Sequence, residues 1–206
     1  MTDSTTRSVP SSERTYFRLD TDFTLYKAPL YEWISERDQR KDVFPDSRKP
    51  FEGIKFREPP RIRFDRRERT GSVPDAHLIG GGMWLVSDRL KALFERLDPE
   101  ALVFQRTEVD YSNFSQTGST YWLSYFIREL DCVDEEQSAL TYYDCIQGVK
   151  VYRDLFDIKM RPEAIGSAHA FRLKYGTDNS IVDDLVVSTM NVEGITGFKF
   201  VPIQKN

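Results

Sequence analysis

GGGMWLVSDRLKALFERLDPEALVFQ, residues Gly80 to Gln105, is the stretch whose reading decides the fold. Leu90, Leu93, Phe94 and Leu97 fall at i, i+3, i+4 and i+7, the apolar stripe of an amphipathic helix. Ser87 stands at the N-cap position, where its hydroxyl can accept from an otherwise unpaired first-turn amide. Asp88 then sets negative charge at the positive end of the helix dipole, and Arg96 lies at the other end. Asp98-Pro99 stops the helix. Ala101 to Phe104 reads as a short strand, so the unit is strand or turn, capped helix, strand.

A weaker copy closes the chain, from Ile181-Val182-Asp183-Asp184-Leu185 to Gly197-Phe198-Lys199-Phe200-Val201-Pro202. With Val86 set on Val182, and no gap, Leu90 meets Val186, Phe94 meets Met190 and Phe104 meets Phe200. Two copies suggest a duplicated capped-helix–strand unit; a solenoid needs three or more.

Working outward, residues 1–14 are polar and Ser/Thr-rich and read as a tail, leaving residues 15–206 as a single domain. Thr15 to Leu19 alternates like a strand. Pro29 opens a short predicted helix, with Leu30, Trp33 and Ile34 on one face. Residues 42–75 carry five prolines, which excludes a long helix and predicts extended segments, with Ile54–Phe56 and Ile62–Phe64 as strands. Thr107–Gly118 ends in polar turn chemistry. Thr120–Ile127 (TYWLSYFI) is β-branched and aromatic, and too continuously apolar for a sheet edge, so it is expected centrally. Ser138–Ile146, Gly148–Phe156 and Ala168–Tyr175 are further strands, the first two joined by a turn at Gln147-Gly148. Helices and strands mix without a βαβ rhythm, which predicts α+β with a mainly antiparallel sheet.

Hydrophobic residues at 39% and aromatics at 13% supply a core, unlike a disordered chain. The net charge of −4 is unevenly spread: residues 1–70 hold 16 Lys/Arg against 13 Asp/Glu, the remainder 13 against 20. That asymmetry suits steering of a charged partner or is ordinary solvated surface. Cys132 and Cys145 make neither a disulfide framework nor a zinc ligand set. No signal peptide and no run of bilayer-spanning length is present, which predicts a cytoplasmic protein with reduced thiols and no membrane contact.

The loudest charge feature is Arg57 to Arg69 (REPPRIRFDRRER), six arginines with Phe56 and Phe64 interleaved. Arginine forks grip phosphate and aromatics stack on bases, so a nucleic-acid-binding module is one alternative, opposed by Glu58, Asp65, Glu68 and the acidic chain as a whole. Gly80-Gly81-Gly82 lacks the Lys-Ser/Thr of a phosphate loop and is separated from the helix, so it gives backbone freedom to the turn before Trp84. His77 and His169 stand apart without nearby ligands; an enzyme would need a pocket joining His169 to carboxylates. The acidic cluster Asp131, Asp134, Glu135 and Glu136 reads as a solvated hairpin turn or as a loop facing a basic partner. Tyr142 and Tyr143 nearby are of the type enriched at interfaces, although a strand should bury at least one.

The order Trp84-Leu85-Val86-Ser87-Asp88-Arg89-Leu90, a short strand, Tyr121-Trp122-Leu123, and a closing Gly194-Ile195-Thr196-Gly197-Phe198-Lys199-Phe200 resembles the bacterial immunity-protein family eleven of polymorphic toxin systems, once a family of unknown function. The resemblance covers residues 75–203; the Pro- and Arg-rich region before it has no counterpart in that match. It implies a small cytoplasmic protein that binds and neutralises a cognate protein toxin by occlusion, without catalysis, cofactor or metal. The matched Trp84, Ser87, Leu90, Gly197 and Phe200 are fold-determining, since both motifs are good cap and turn chemistry. The acidic second part points to a basic toxin such as a nuclease, met by Asp131, Asp134, Glu135, Glu136, Tyr142 and Tyr143. A homodimer through the two helix–strand units is a further alternative.

Overall fold

The computed structural model describes residues 14–25, 30–34, 58–65, 71–80, 82–114, 118–143, 150–176 and 180–203. The Gly80–Gln105 stretch forms β5 (Met83–Ser87), α1 (Asp88–Leu97) and β6 (Leu102–Arg106). Ser87 caps α1 as its sequence position dictates: the Leu90 amide donates to Ser87 Oγ at 3.4 Å. The Asp98 amide closes the C-terminal end on the Phe94 carbonyl at 2.8 Å. Leu90, Leu93 and Phe94 are buried, each at 1% exposure or less. Burying a side chain of that size contributes about 1.5–3 kcal/mol.

β5 pairs antiparallel with β4 (Ala76–Gly80) on one side and with β8 (Tyr121–Phe126) on the other. β6 pairs antiparallel with the far side of β8. The sheet order is therefore β4-β5-β8-β6, with the aromatic β8 in the interior, as its continuous apolar character predicted. Because β5 and β6 both run against β8, they run parallel to each other, and α1 makes the crossover between them.

The end of the chain builds a second sheet. β14 (Ala170–Leu173), β15 (Ser180–Asp183) and β16 (Phe198–Pro202) join β1 (Tyr16–Thr21) and β9 (Glu129–Leu130) in the order β16-β1-β15-β14-β9. β1 runs antiparallel to both β15 and β16, and α3 (Asp184–Val192) connects those two strands. Asp183 is its N-cap, accepting from the Val186 amide at 3.2 Å. Val186 and Met190 of α3 are buried in the same cluster as Leu90, Leu93 and Phe94 of α1, with Trp84, Val86, Leu19 and Val182 from the two sheets. Arg89 ties the helices together: its Nη2 donates to the carbonyls of Glu193 (3.0 Å) and Gly194 (2.8 Å), a cation at the negative end of α3.

Gly197 explains why the closing strand needs a glycine there. Its φ is +109°, and a Cβ would overlap the Ala76 backbone, whose amide donates to Thr196 O at 3.1 Å. This contact docks the start of β16 on β4.

Three smaller sheets complete the described residues: β2 (Leu30–Trp33), β3 (Arg61–Asp65) and β7 (Glu108–Asp110) in the order β2-β3-β7, β10 (Val133–Asp134) with β13 (Lys159–Met160), and β11 (Ala139–Tyr142) with β12 (Tyr152–Phe156). A single short helix, α2 (Pro162–Ile165), follows β13. The architecture is α+β with mostly antiparallel pairing; β3–β7 and β9–β14 are parallel.

The helix expected after Pro29 is instead strand β2. Its residues pair with β3 in the register Tyr31↔Phe64 and Trp33↔Ile62, so a long-range ladder overrides a local apolar spacing. β7 went unread in the sequence because its partner is remote, Ile62↔Val109. Arg14, placed with the tail, is anchored: its side chain is 6% exposed and its Nη1 meets Ala168 O at 2.8 Å and Asp183 Oδ2 at 3.3 Å. Ile54–Phe56, Gln147-Gly148 and Cys145 lie outside the described residues. Among the described residues, no helix is long and apolar enough to cross a membrane.

Candidate partner-binding surface

Asp131 lies just before β10, Asp134 in it, Glu135 and Glu136 in the turn that follows, Tyr142 at the end of β11 and Tyr143 just beyond it. Asp134 builds the turn. Its Oδ1 accepts from the amides of Glu136 (3.2 Å) and Gln137 (3.1 Å), and its Oδ2 from Gln137 Nε2 at 2.8 Å. Asp131 is spent elsewhere, on Arg161 (3.2 Å) and Lys174 (3.3 Å). Glu135 pairs with Lys150 and also accepts from Tyr152 Oη at 2.7 Å and Tyr142 Oη at 3.2 Å. The hydrogen bond from Lys150, then that from Tyr152, hold its carboxyl below the usual carboxylate range. Glu136 alone points to solvent without a partner among the described residues. The four carboxylates do not converge, and no group of three or more His, Cys, Asp or Glu among the described residues could hold a metal.

Neither tyrosine is core, contrary to the expectation from the strand pattern: Tyr142 is 44% exposed and Tyr143 55%. The reason is that β11–β12 is a two-stranded ribbon, and of β11 only Leu140 packs inward. Both rings are nevertheless held. Lys150 Nζ lies 5.3 Å from the Tyr142 ring, 5.7 Å from Tyr152 and 4.9 Å from Tyr175, and the Arg153 guanidinium is 5.8 Å from Tyr143. Such contacts restrain an exposed aromatic before any partner arrives. Lys150 is the residue sequence reasoning missed; no motif marks a lysine fifteen positions from its carboxylate.

The histidines are embedded in structure. His169 Nδ1 lies 2.7 Å from Asp183 Oδ2, and the His169 amide donates to Asp98 Oδ2 at 2.8 Å. Asp183 is fully buried and also serves Arg14 and the cap of α3. A His–Asp pair can orient an imidazole, but catalysis needs a nucleophile or substrate site beside it. Two concavities of the surface lie elsewhere. One, of about 410 Å³, is lined by residues including Arg106, Thr107, Tyr111 and Thr120; the other, of about 540 Å³, by Asp22, Phe23, Thr24, Phe198 and Lys199. Cys132 is buried, and burial pushes its thiol up to about 12, which makes it a poor nucleophile.

Within the arginine run, residues 58–65 are described. Arg63 Nε meets Asp110 Oδ2 at 2.8 Å and its Nη1 meets Glu32 at 3.8 Å; Arg61 meets Glu108 at 3.7 Å. The bond from Arg63 holds the Asp110 carboxyl down to about 2. Phe64 is completely buried and cannot stack on a base. These arginines knit β3 to β2 and β7.

Residues 15–205 match the family model described as the immunity protein family (Imm11), and the chain belongs to that family. The match reaches well before residue 75, so the strands β1, β2 and β3 fall within the family's span. No curated protein matches the chain.

Proposed function

We propose that this chain neutralises a cognate protein toxin by stoichiometric binding, without catalysis, and that the exposed tyrosines at the end of β11, with the turn before that strand, meet the toxin. Membership of the immunity family over residues 15–205 is the observation that carries the function. The choice of region is supported by Tyr142 and Tyr143, consecutive at the end of β11, both exposed and held by Lys150 and Arg153 respectively, with Glu136 at the rim. Exposed, restrained aromatics with a polar rim are the usual composition of interface hot spots. Asp134 and Glu135 support that region by fixing its turn and Lys150, while Asp131 is tied to Arg161 and Lys174 beside it. A toxin with a basic surface, such as a nuclease of a polymorphic toxin system, suits the rim, and its neutralisation takes place in the cytoplasm.

The test is co-expression with the product of the gene immediately upstream. A one-to-one complex that survives high salt and restores growth is expected, and replacing Tyr142 and Tyr143 together by Ala should weaken it at least ~10-fold while the fold is kept. A folded protein that neither binds that product nor rescues growth overturns the reading. Binding that ignores the double replacement moves the interface away from β11.

The same reading takes residues 15–206 as one domain carrying a duplicated unit. In its support, β4, β5, α1 and β6 enclose β8 in the same order as β14, β15, α3 and β16 enclose β1. An experimental structure in which the two units fail to superpose at the aligned positions removes it.

A further inference from the structure

β1 ends at Thr21, and the chain turns through Asp22 to Leu25. The turn is fixed from every side. The Leu25 amide donates to Asp22 O at 3.3 Å, and Asp22 Oδ1 accepts from the Thr24 amide (2.9 Å) and the Thr24 hydroxyl (2.6 Å). The Asp22 amide in turn donates to Gly197 O at 3.1 Å, which pins the turn to the start of β16. This well-bonded turn holds Phe23 in water at 81% exposure. A large aromatic carries a substantial burial energy, and a rigid one has little order left to lose on docking.

Phe23 itself forms one side of a shallow, open cleft of about 540 Å³, whose other lining residues are Asp22, Thr24, Phe198 and Lys199. Phe198 is its apolar wall, backed by Trp84 at a ring separation of 4.7 Å. We propose that this cleft receives Phe23 of a second copy of the chain, in a two-fold dimer. Knob and hole are neighbours on one surface, which is the self-complementary arrangement an isologous contact requires. The charges agree: Asp22 and Lys199 line the same cleft with opposite signs, and a two-fold axis brings Asp22 of each copy toward Lys199 of the other. Lys199 has no ion pair among the described residues, so it is available for that contact. The cleft also adjoins β16, the edge strand of its sheet, which carries no partner on its outer side among the described residues. Strand edges of that kind are normally blocked or covered.

The experiment is sedimentation velocity on the full chain from low to several hundred micromolar, for the wild type, Phe23→Ser, Phe23→Trp, Lys199→Glu and Val192→Ser. The wild type is expected to dimerise reversibly with concentration. Phe23→Ser should weaken association at least ~10-fold and Lys199→Glu several-fold, while Phe23→Trp should retain it. Val192→Ser, at another exposed apolar position (87%), should leave it unchanged. Circular dichroism and urea midpoints check that the variants keep the fold, since Phe23 contributes little to the core. A wild type monomeric at every concentration overturns the proposal, as does a dimer indifferent to Phe23→Ser or dissolved by Val192→Ser. A monomeric wild type whose toxin complex is lost in Phe23→Ser assigns the cleft to the toxin, and equally overturns it.

Discussion

His77 should make the protein acid-sensitive through a single group. Its ring lies on β4 among Phe64 (5.4 Å between centroids), Tyr31 (5.6 Å) and Tyr121 (6.3 Å). Nε2 is sealed from solvent with no partner among the described residues, although part of the residue remains accessible. Burial pulls its pKa from 6.5 down to about 4; the Asp75 carboxylate opposes this more weakly. Asp75 is itself committed to Arg89 (3.1 Å), Ser87 Oγ (2.7 Å) and the Thr196 amide (3.0 Å). The sign follows from the neutral form being favoured in the folded chain. Above pH 6.5 His77 is neutral in both states and its contribution is complete. As pH falls from 6.5 toward 4, the unfolded chain takes up a proton that the folded chain refuses, and stability is lost. At about 1.4 kcal/mol per pH unit the separation amounts to ~3 kcal/mol, reduced to ~2–3 by the accessible part of the ring. That is a large share of a typical domain's 5–15 kcal/mol, quoted as a rough range. The assay is urea unfolding between pH 4 and 8 for the wild type and His77→Phe. Asp110 and Glu135, whose carboxyls are held low, destabilise both proteins in acid and cancel in the difference. The advantage of His77→Phe should therefore grow by ~2–3 kcal/mol from pH 7 to pH 4. Parallel pH profiles would refute the reasoning.

Three further outcomes follow from the same geometry. Asp183→Ala removes the cap of α3 and leaves Arg14 buried without its carboxylate, and should cost ~3 kcal/mol or more in urea unfolding; a loss under ~1 kcal/mol would mean the network carries no stability. Ser87→Ala deprives α1 of its cap and Asp75 of a donor, for an expected loss of ~1–2 kcal/mol read as a lower melting temperature. Gly197→Ala meets the Ala76 backbone and should cost more than ~2 kcal/mol, whereas Gly194→Ala, also at positive φ but in open space, should cost only ~1 kcal/mol; equal losses would remove the close approach as the cause.

The parts of the fold that were legible in the sequence are those set by short-range chemistry. Ser87, Asp88 and the Leu90–Phe94 spacing specify α1 locally, and the alignment that sets Val86 on Val182 also sets Ser87 on Asp183, both N-caps. β8 was legible because a strand covered on both faces must be apolar throughout. The errors share a different cause. Leu30–Trp33 has helical spacing, but its backbone is claimed by β3, some thirty residues on. Tyr142 and Tyr143 look like core residues in a strand, yet it is Leu140, Tyr152 and Leu155 of the ribbon that face the core, which leaves both tyrosines exposed. His169 and Asp183 meet only because β14 and β15 are paired, with Ala170 opposite Val182. Side-chain constellations of this kind depend on register, which periodicity does not reveal.

Charge counting along the sequence also overstates the field that a partner would feel. The carboxylates that looked like a steering patch are answered nearby: Asp131 by Arg161 and Lys174, Glu135 by Lys150, Glu129 by Arg172. The described arginines of the basic run are answered in the same way by Glu108, Asp110 and Glu32. Paired charges present mostly dipoles to the outside, and these decay faster with distance than free charges. Beside these paired charges the described surface exposes large aromatic side chains: Phe23 on its locked turn, and Tyr142 and Tyr143 braced by a lysine and an arginine. Tyr142 and Tyr143 combine a large burial energy with little freedom to lose, the conditions under which few residues dominate an interface. Under the immunity reading, affinity should then come from aromatic anchors, with the remaining rim charge of Glu136 acting on encounter rate and partner choice.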